Sequence, residues 1–129
     1  MKALSLRPHW AYAIFHLGKD IENRTWSTKY RGPLLIHAAG RMTHAELEQI
    51  QQIAHHDAAL IPDRSSILVG GIVGSVNLVD IVSASKSIWF GGPLGWVLTK
   101  PRQIPFFECK GQLGVFAVGD YALSIAPRK

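Results

Sequence analysis

The chain has 129 residues, of which 47% are hydrophobic and 18% are charged, with a net charge of +5 and a pI of about 9.7. This length predicts one domain over 1–129 with a substantial core, and no apolar run approaches the roughly 18 residues that span a bilayer. The N-terminal segment lacks the apolar core of a signal peptide, so we expect a cytoplasmic protein that does not enter a membrane. The single cysteine, Cys109, excludes an intrachain disulfide.

The N-terminal part of the chain predicts a strand, a helix and two further strands. Lys2–Leu6 is typical of a short strand. From His9 to Leu17 the apolar residues recur at spacings of three and four, which predicts an amphipathic helix that stops at Gly18. A strand follows over Asp20–Trp26, and the continuous apolar run Pro33–Ala38 predicts a strand that is buried on both faces.

The remainder of the chain predicts one more helix and several strands. Thr43-His44-Ala45-Glu46 forms a capping box that opens a helix reaching about His55. A loop over Asp57–Ser66 is followed by a strand over Ile72–Ser83 with a bulge at Gly74. A strand over Leu94–Thr99 is interrupted at Lys100–Arg102 before Ile104. The last strands are predicted over Leu113–Val118 and, as a short addition, over Tyr121–Ile125. Five to seven strands and two helices without regular alternation predict an α+β domain on a small mixed or antiparallel β-barrel.

Two histidine patterns in the sequence carry weaker signals. The run His55-His56-Asp57 contains metal-ligating residue types, but adjacent residues point to different faces of a helix, so we interpret it as a solvated helix end and expect no metal. His37 closes an apolar strand and is interpreted as a core histidine with satisfied hydrogen bonds rather than a catalytic base. Cys109 is interpreted as a structural thiol.

The segment after the first helix concentrates charges of both signs next to aromatic residues. On a strand over Asp20–Trp26, the side chains of Glu22, Arg24 and Trp26 share one face, with neighbours about 7 Å apart. A carboxylate, a guanidinium and an indole on one face can bind a flat polar ligand by stacking and hydrogen bonding. The alternative is a surface strand with a weak ion pair. Lys19, just beyond the helix, is suited to capping its negative end.

These residues also carry a resemblance to a known family. Lys19-Asp20-Ile21-Glu22-Asn23-Arg24 followed by Trp26 resembles the Lys-x-x-Glu-x-Arg signature of the ASCH domain family, named for activating signal cointegrator homology. Similar segments occur in the family's order at Leu4–Leu6, Trp10-Ala11, Tyr30–His37, Gly71–Gly74, Ser87–Phe90, Gly92–Leu98 and Lys110–Phe116. The resemblance implies a PUA-like β-barrel with two main helices flanking a cleft, which lies beside the first helix.

The resemblance also implies a function for that cleft, namely binding of single-stranded RNA or a modified nucleoside, with no cofactor. Lys19 would contact phosphate or act as an acid/base group, Glu22 would accept from a base amino group, and Ser87 would supply a loop hydrogen bond. These three are the candidate catalytic residues. The candidate ligand-binding residues are Arg24, Trp26, Tyr30, Arg31, Trp10 and Trp89, in which arginines would meet phosphates and tryptophans would stack on bases.

Two alternatives to pure binding stay open at this point. The first is a hydrolase that uses the same cleft, either a ribonuclease or an amidohydrolase acting on N4-acetylcytidine. The amidohydrolase members resemble this chain at Lys19 but have a threonine at the position of Glu22. The second alternative is a protein-interaction domain whose basic residues only confer solubility, and it predicts no effect of nucleotides on stability.

Overall fold

Six strands form one curled sheet in the computed structural model, which describes residues 1–53 and 67–119. The strands are β1 (Lys2–Leu6), β2 (Ile21–Arg24), β3 (Gly32–Ala38), β4 (Gly71–Val82), β5 (Leu94–Glu108) and β6 (Val115–Ala117), and the helices are α1 (Pro8–His16) and α2 (His44–Ile53). The strand order is β2-β5-β4-β3-β1-β6, and β1 and β3 form the parallel pair. The sheet curls into a half-barrel, which confirms the predicted α+β fold with two helices. Within the described residues, neither helix is long and apolar enough to span a membrane.

The first helix carries the chain from β1 to the segment that holds the candidate site. Its apolar side packs Ala11 and Ile14 into the core, where their exposed fractions are 1% and 2%. The helix ends at His16, and the predicted stop, Gly18, follows the C-cap Leu17 with a φ of +75°, in the left-handed region that favours glycine. There the amide of Lys19 donates to the carbonyl of Ala13 over 3.1 Å. This turn directs the chain straight from α1 into β2.

The second helix begins at the predicted capping box. The amide of Glu46 donates to Thr43 Oγ1 over 3.1 Å, and the amide of Thr43 donates to Glu46 Oε1 over 3.0 Å. Arg7 lies against the same carboxylate, with its Nε 2.6 Å from Glu46 Oε2. This guanidinium lowers the pKa of Glu46 to about 2. The predicted end of this helix, the His55-His56-Asp57 run, the loop over Asp57–Ser66 and the strand over Tyr121–Ile125 lie outside the described residues.

A bulge in the middle of the sheet lies next to Gly74, one residue from the predicted position. Ile36 pairs with Gly74 and His37 pairs with Ile72, so one residue of β4 is left without a partner on β3. A Cβ at Gly74 would lie 2.4 Å from the ring of Phe15. The glycine therefore lets α1 pack closely on the bent strand.

The predicted interruption of the fifth strand at Lys100–Arg102 is wrong. β5 continues to Glu108 because a second bulge absorbs the break: two residues, Lys100 and Pro101, lie opposite the single residue Val76. Lys100 has a φ of +53°, in the left-handed region, where the ladder is irregular. Pro101 has no amide to donate, and the bulge removes the need for one in the ladder.

Two strands are shorter than the sequence predicts, and both lie at the edges of the sheet. β2 ends at Arg24 because its partner, Leu94, is the first residue of β5. Trp26 therefore lies beyond the strand. At the other edge, β6 starts at Val115, which pairs with Leu4. The end of β1, Ser5 and Leu6, therefore has no partner on β6. These two changes create the opening described next.

Candidate functional site

A cleft of about 770 Å³ opens where the two edges of the curled sheet approach each other. We call it the seam cleft. It is lined by Leu4, Ser5, Arg24, Trp26, His37, Ala39, Gly40, Gly111, Gln112, Leu113 and Gly114. Among these residues none is an aspartate or glutamate, and Arg24 carries the permanent charge. The seam cleft therefore favours an anionic ligand.

Arg24 crosses the seam from β2 to β1. Its Nη2 lies 3.2 Å from Glu22 Oε2 and donates over 3.0 Å to the carbonyl of Ser5, a residue that β6 does not pair with because β6 starts only at Val115. The side chain keeps 22% of its surface exposed, against 7% for Glu22. Glu22 and Arg24 thus share a face, as the alternation predicts. The carboxylate holds the guanidinium from behind while part of it faces the cleft.

Trp26 forms a wall of the cleft beyond the end of β2. Its ring contacts the buried ring of Trp96 edge-on, with centroids 4.8 Å apart at 80°. Trp96 Nε1 also donates to the carbonyl of Trp26 over 3.2 Å. Trp96 lies directly opposite Glu22 in the β2–β5 ladder. Trp26 is therefore a half-buried aromatic surface that Trp96 holds in place. The role of Trp96 is visible only in the register of β2 and β5, which are distant in sequence.

Lys19 and Glu22 lie beneath this surface. Their exposed fractions are 4% and 5%, and Lys19 Nζ is 3.5 Å from Glu22 Oε1. Burial lowers the pKa of Lys19 and raises the pKa of Glu22, and in both residues the attraction between the opposite charges opposes the shift. Nζ also donates to the carbonyl of Ile21. Glu22 Oε1 accepts no hydrogen bond from the described residues.

Two of the candidate stacking residues enclose Lys19 instead of lining the cleft. Its Nζ lies 5.0 Å from the ring centroid of Trp10 and 5.6 Å from that of Trp89. The two indoles meet edge-on with centroids 6.4 Å apart. A cation over an aromatic face gains about 0.5–1 kcal/mol at an exposed site and about 2 kcal/mol when it is desolvated. The pair therefore helps to hold a buried ammonium that has given up its water.

Ser87 lies in the loop that packs on the first residues of β2. Its Oγ donates to Asp20 Oδ1 over 2.5 Å and accepts from the amide of Trp89 over 3.1 Å. Asn23 fixes the same loop, because its Nδ2 donates to the carbonyl of Trp89 over 2.9 Å. Ser87 is not among the residues that line the seam cleft.

Tyr30 and Arg31 are also placed outside the seam cleft. The Tyr30 hydroxyl donates to the carbonyl of Pro33. Arg31 Nη1 donates to the carbonyls of Thr28 over 2.8 Å and of Tyr30 over 2.9 Å, so the exposed guanidinium folds back on its own turn. Of the nine candidate residues, the structure brings Arg24 and Trp26 into one cleft, with Glu22 and Lys19 directly behind Arg24.

The seam cleft contains two residues that sequence reasoning did not place in a site, Ser5 and His37. His37 is 2% exposed, and its Nδ1 and Nε2 lie 2.9 Å from Ser5 Oγ and 2.7 Å from the carbonyl of Cys109. Both ring nitrogens thus have hydrogen-bond partners, as the sequence predicts. Ser5 and His37 are register partners on the parallel pair β1 and β3, which no local pattern in the sequence indicates.

A separate groove of about 470 Å³ lies beside the first helix. Its lining includes Ala11, Tyr12, Phe15 and His16 from α1 and Val73 from β4. None of the candidate site residues lines it. The candidate residues that reach a cleft therefore do so at the seam, at the far end of β2 from α1.

The comparison with protein families decides the family of the chain. The model of the ASCH domain matches residues 4–90, which includes α1, β2 and β3 and reaches the loop that packs on β2. The chain belongs to the ASCH domain family. This membership indicates RNA binding as a general role. No curated protein sequence matches the chain.

Solved structures share the ASCH fold with this chain. The crystal structure of ASCH from Zymomonas mobilis has a TM-score of 0.59 and 13% sequence identity, covering 98% of this chain and 96% of that chain. A tyrosine-to-phenylalanine variant of the Zymomonas mobilis protein has a TM-score of 0.55 and 13% identity, with 98% of each chain covered. These likenesses show the fold of the ASCH domain over nearly the whole chain.

Proposed function

We propose that this ASCH domain binds single-stranded RNA or a modified nucleoside in the seam cleft. The observation that carries the proposal is the convergence of the Arg24 guanidinium and the Trp26 indole on one cleft whose described lining holds no carboxylate. A volume of about 770 Å³ falls within the range of about 300–1,000 Å³ that is usual for small-molecule sites. The cleft therefore suits one unstacked nucleotide.

The two lining residues have separate roles in this proposal. Trp26 stacks on a base, since a held indole presents its face at little entropic cost and base stacking is worth about 1–3 kcal/mol. Arg24 contacts a phosphate or another anionic group of the ligand, because it lines the cleft and keeps 22% of its side-chain surface exposed. Stacking selects for unpaired nucleotides, and the phosphate contact supplies affinity without sequence preference.

Glu22 and Lys19 act as positioning residues behind Arg24. Both are too deeply buried to meet a nucleotide in the described conformation. Glu22 aims the guanidinium, and Lys19 offsets the charge of Glu22, so that the carboxylate does not repel an anionic ligand. Ser87 supports this arrangement from outside through Asp20, the residue before β2.

The proposal is tested by titrating a fluorescently labelled pyrimidine-rich RNA of about ten nucleotides with wild type, Trp26→Leu and Arg24→Gln. Loss of about 1–3 kcal/mol of stacking predicts weaker binding by Trp26→Leu, by about 5- to 150-fold. For Arg24→Gln, the slope of log K against log salt becomes shallower by about 0.7, which is the value for one phosphate contact on a single strand. Arg102→Gln, which removes the same charge from a residue outside the seam cleft, leaves affinity and slope unchanged.

The same samples, run on native and denaturing gels, separate binding from its alternatives. RNA that is shifted and stays intact supports the proposal. RNA that is shortened by wild type but not by Glu22→Gln supports the hydrolase that acts through the Lys19–Glu22 pair. If neither short RNA nor a panel of modified nucleosides binds or raises the melting temperature, the binding proposal is contradicted and the protein-interaction domain remains.

A further inference from the structure

A serine and a histidine meet at the floor of the seam cleft. Ser5 Oγ lies 2.9 Å from His37 Nδ1, and both residues line the cleft. The second ring nitrogen, Nε2, lies 2.7 Å from the carbonyl oxygen of Cys109. Since these contacts come from residues 32 and 72 positions away from their partners, the arrangement is a product of the fold.

The Cys109 carbonyl decides which nitrogen of His37 carries the proton. A carbonyl oxygen only accepts, so Nε2 bears the hydrogen of the neutral ring and Nδ1 is left as an acceptor. Ser5 Oγ therefore donates to Nδ1. A hydroxyl that donates to an imidazole, which is in turn oriented by a third group, has the geometry of an activated nucleophile with its general base.

The surroundings of the pair suit chemistry at the hydroxyl. Ser5 keeps partial exposure while His37 is 2% exposed, so the nucleophile faces the cleft and the base is shielded from water. Arg24 lines the same cleft and donates to the backbone carbonyl of Ser5, so the cleft that holds the pair also holds a cation. A Cβ at Gly111 would lie 2.6 Å from Ser5 Oγ and 2.9 Å from His37 Nδ1, so the loop closes on the pair only because residue 111 has no side chain.

We infer that Ser5 and His37 form a catalytic dyad that hydrolyses carboxylic esters. Ser5 Oγ attacks the ester carbonyl carbon and its proton moves to His37 Nδ1. The negative charge of the tetrahedral intermediate forms in the cleft that also holds the Arg24 cation. The carbon–oxygen bond to the alcohol breaks, the alcohol leaves with the proton from Nδ1, and an acyl-Ser5 remains. Water then attacks the acyl group, gives its proton to Nδ1, and Ser5 Oγ regains a proton as the acid leaves. The net reaction converts an ester and water into an acid and an alcohol.

The cleft also indicates the class of ester. Its volume of about 770 Å³ must hold both the acyl group and the alcohol, so the acyl group is small. The alcohol is a nucleoside or an RNA end held by Trp26 and Arg24, and this part of the inference rests on the proposed function. The chemistry of the dyad does not depend on it, so a simple ester and an RNA test the two proposals separately.

The first experiment measures covalent reaction at Ser5 in the full chain. Wild-type protein is incubated with a fluorophosphonate probe or with p-nitrophenyl acetate, and the modified residue is located by intact mass and peptide mapping. We expect one adduct at Ser5 and catalytic release of p-nitrophenol. Ser5→Ala loses the adduct, and His37→Gln, which keeps a side-chain donor for Cys109, lowers kcat/KM by about a hundredfold or more. Ser75→Ala, a change at a half-buried strand serine outside the cleft, retains both signals.

A second variant keeps the inference open to refutation if the alanine variant does not fold. Ser5→Cys retains a nucleophile of similar size, and we expect a thioester adduct at residue 5 that hydrolyses slowly. An adduct that is absent from wild type and from Ser5→Cys, or that forms equally in His37→Gln, overturns the dyad. If wild-type protein hydrolyses the simple ester but does not bind RNA, the proposed function alone is overturned.

Discussion

Replacing Glu22 by glutamine tests the charge arrangement behind the seam cleft. The carboxylate lies between Lys19 Nζ at 3.5 Å and Arg24 Nη2 at 3.2 Å, and the Lys19 and Glu22 side chains are 2% and 7% exposed. Glutamine has nearly the same shape but no charge. The substitution therefore leaves a buried ammonium and a partly buried guanidinium without their counter-ion.

The expected loss of stability follows from this burial. Removing one partner of a buried ion pair costs about 3–5 kcal/mol, and we take about 3 kcal/mol because glutamine keeps an acceptor for Arg24. With an unfolding entropy of about 2.1 cal/mol/K per residue, a 129-residue chain loses about 11 °C in melting temperature. Adding Lys19→Met removes the unpaired ammonium, so the double variant regains about 1–2 kcal/mol relative to Glu22→Gln.

The assay is urea denaturation followed by tryptophan fluorescence, with melting temperature as a second reading. Glu48→Gln, the same change at an exposed position of α2, is the matched control and changes stability by less than about 0.5 kcal/mol. A loss below about 1 kcal/mol in Glu22→Gln, or strictly additive losses in the double variant, would show that these charges are not coupled as the structure indicates.

Three further predictions concern the framework around the cleft. Arg7 lowers the pKa of Glu46 to about 2, so this pair stabilises the fold above the unfolded pKa of about 4.5 and loses that contribution as pH falls towards 2. In Arg7→Gln the free energy of unfolding therefore decreases less on acid titration than in wild type, by about 1 kcal/mol after allowance for the exposure of Arg7. Burial lowers the pKa of His9, so stability decreases as pH falls below about 6.5, where the unfolded chain takes up a proton first, and urea midpoints of His9→Gln show a weaker decrease. Gly74→Ala places a Cβ 2.4 Å from the ring of Phe15 and lowers the unfolding free energy by about 2 kcal/mol, whereas alanine at Gly119, which has no atom within 4 Å of the added Cβ, has little effect.

The sequence predicts most of the framework because its signals are local. The capping box of Thr43 and Glu46 forms with both hydrogen bonds, the chain turns at Gly18, and the bulge lies next to Gly74. Each of these features depends on residues a few positions apart, whose backbone preferences are set by glycine, by capping side chains or by hydrophobic spacing.

The continuation of β5 through Pro101 could not be predicted from the same kind of signal. Proline within an apolar run normally ends a strand, since it cannot donate to the ladder. Here the neighbouring strand supplies a bulge partner at Val76, and Lys100 adopts a left-handed φ. Only the pairing of the two strands shows that the break is absorbed.

The candidate site divides in the same way. Alternation on β2 correctly places Glu22 and Arg24 on one face, where they form an ion pair at 3.2 Å. The alternation does not predict how deeply the side chains are buried. Lys19 is covered by Trp10 of α1 and by Trp89 of the loop after β4. The meeting of Ser5 with His37 depends on the register of a parallel pair, which sequence spacing does not encode.

The location of the ligand is the central claim, and ¹⁵N-resolved NMR during a titration with a short single-stranded RNA tests it most directly. We predict that the largest shift changes come from the amides of Gly111–Gly114 and the Nε of Arg24, and that the Trp26 indole shifts while the Trp89 indole does not. Changes that cluster instead around Tyr12 and Phe15, in the groove beside α1, would contradict the seam cleft as the binding site.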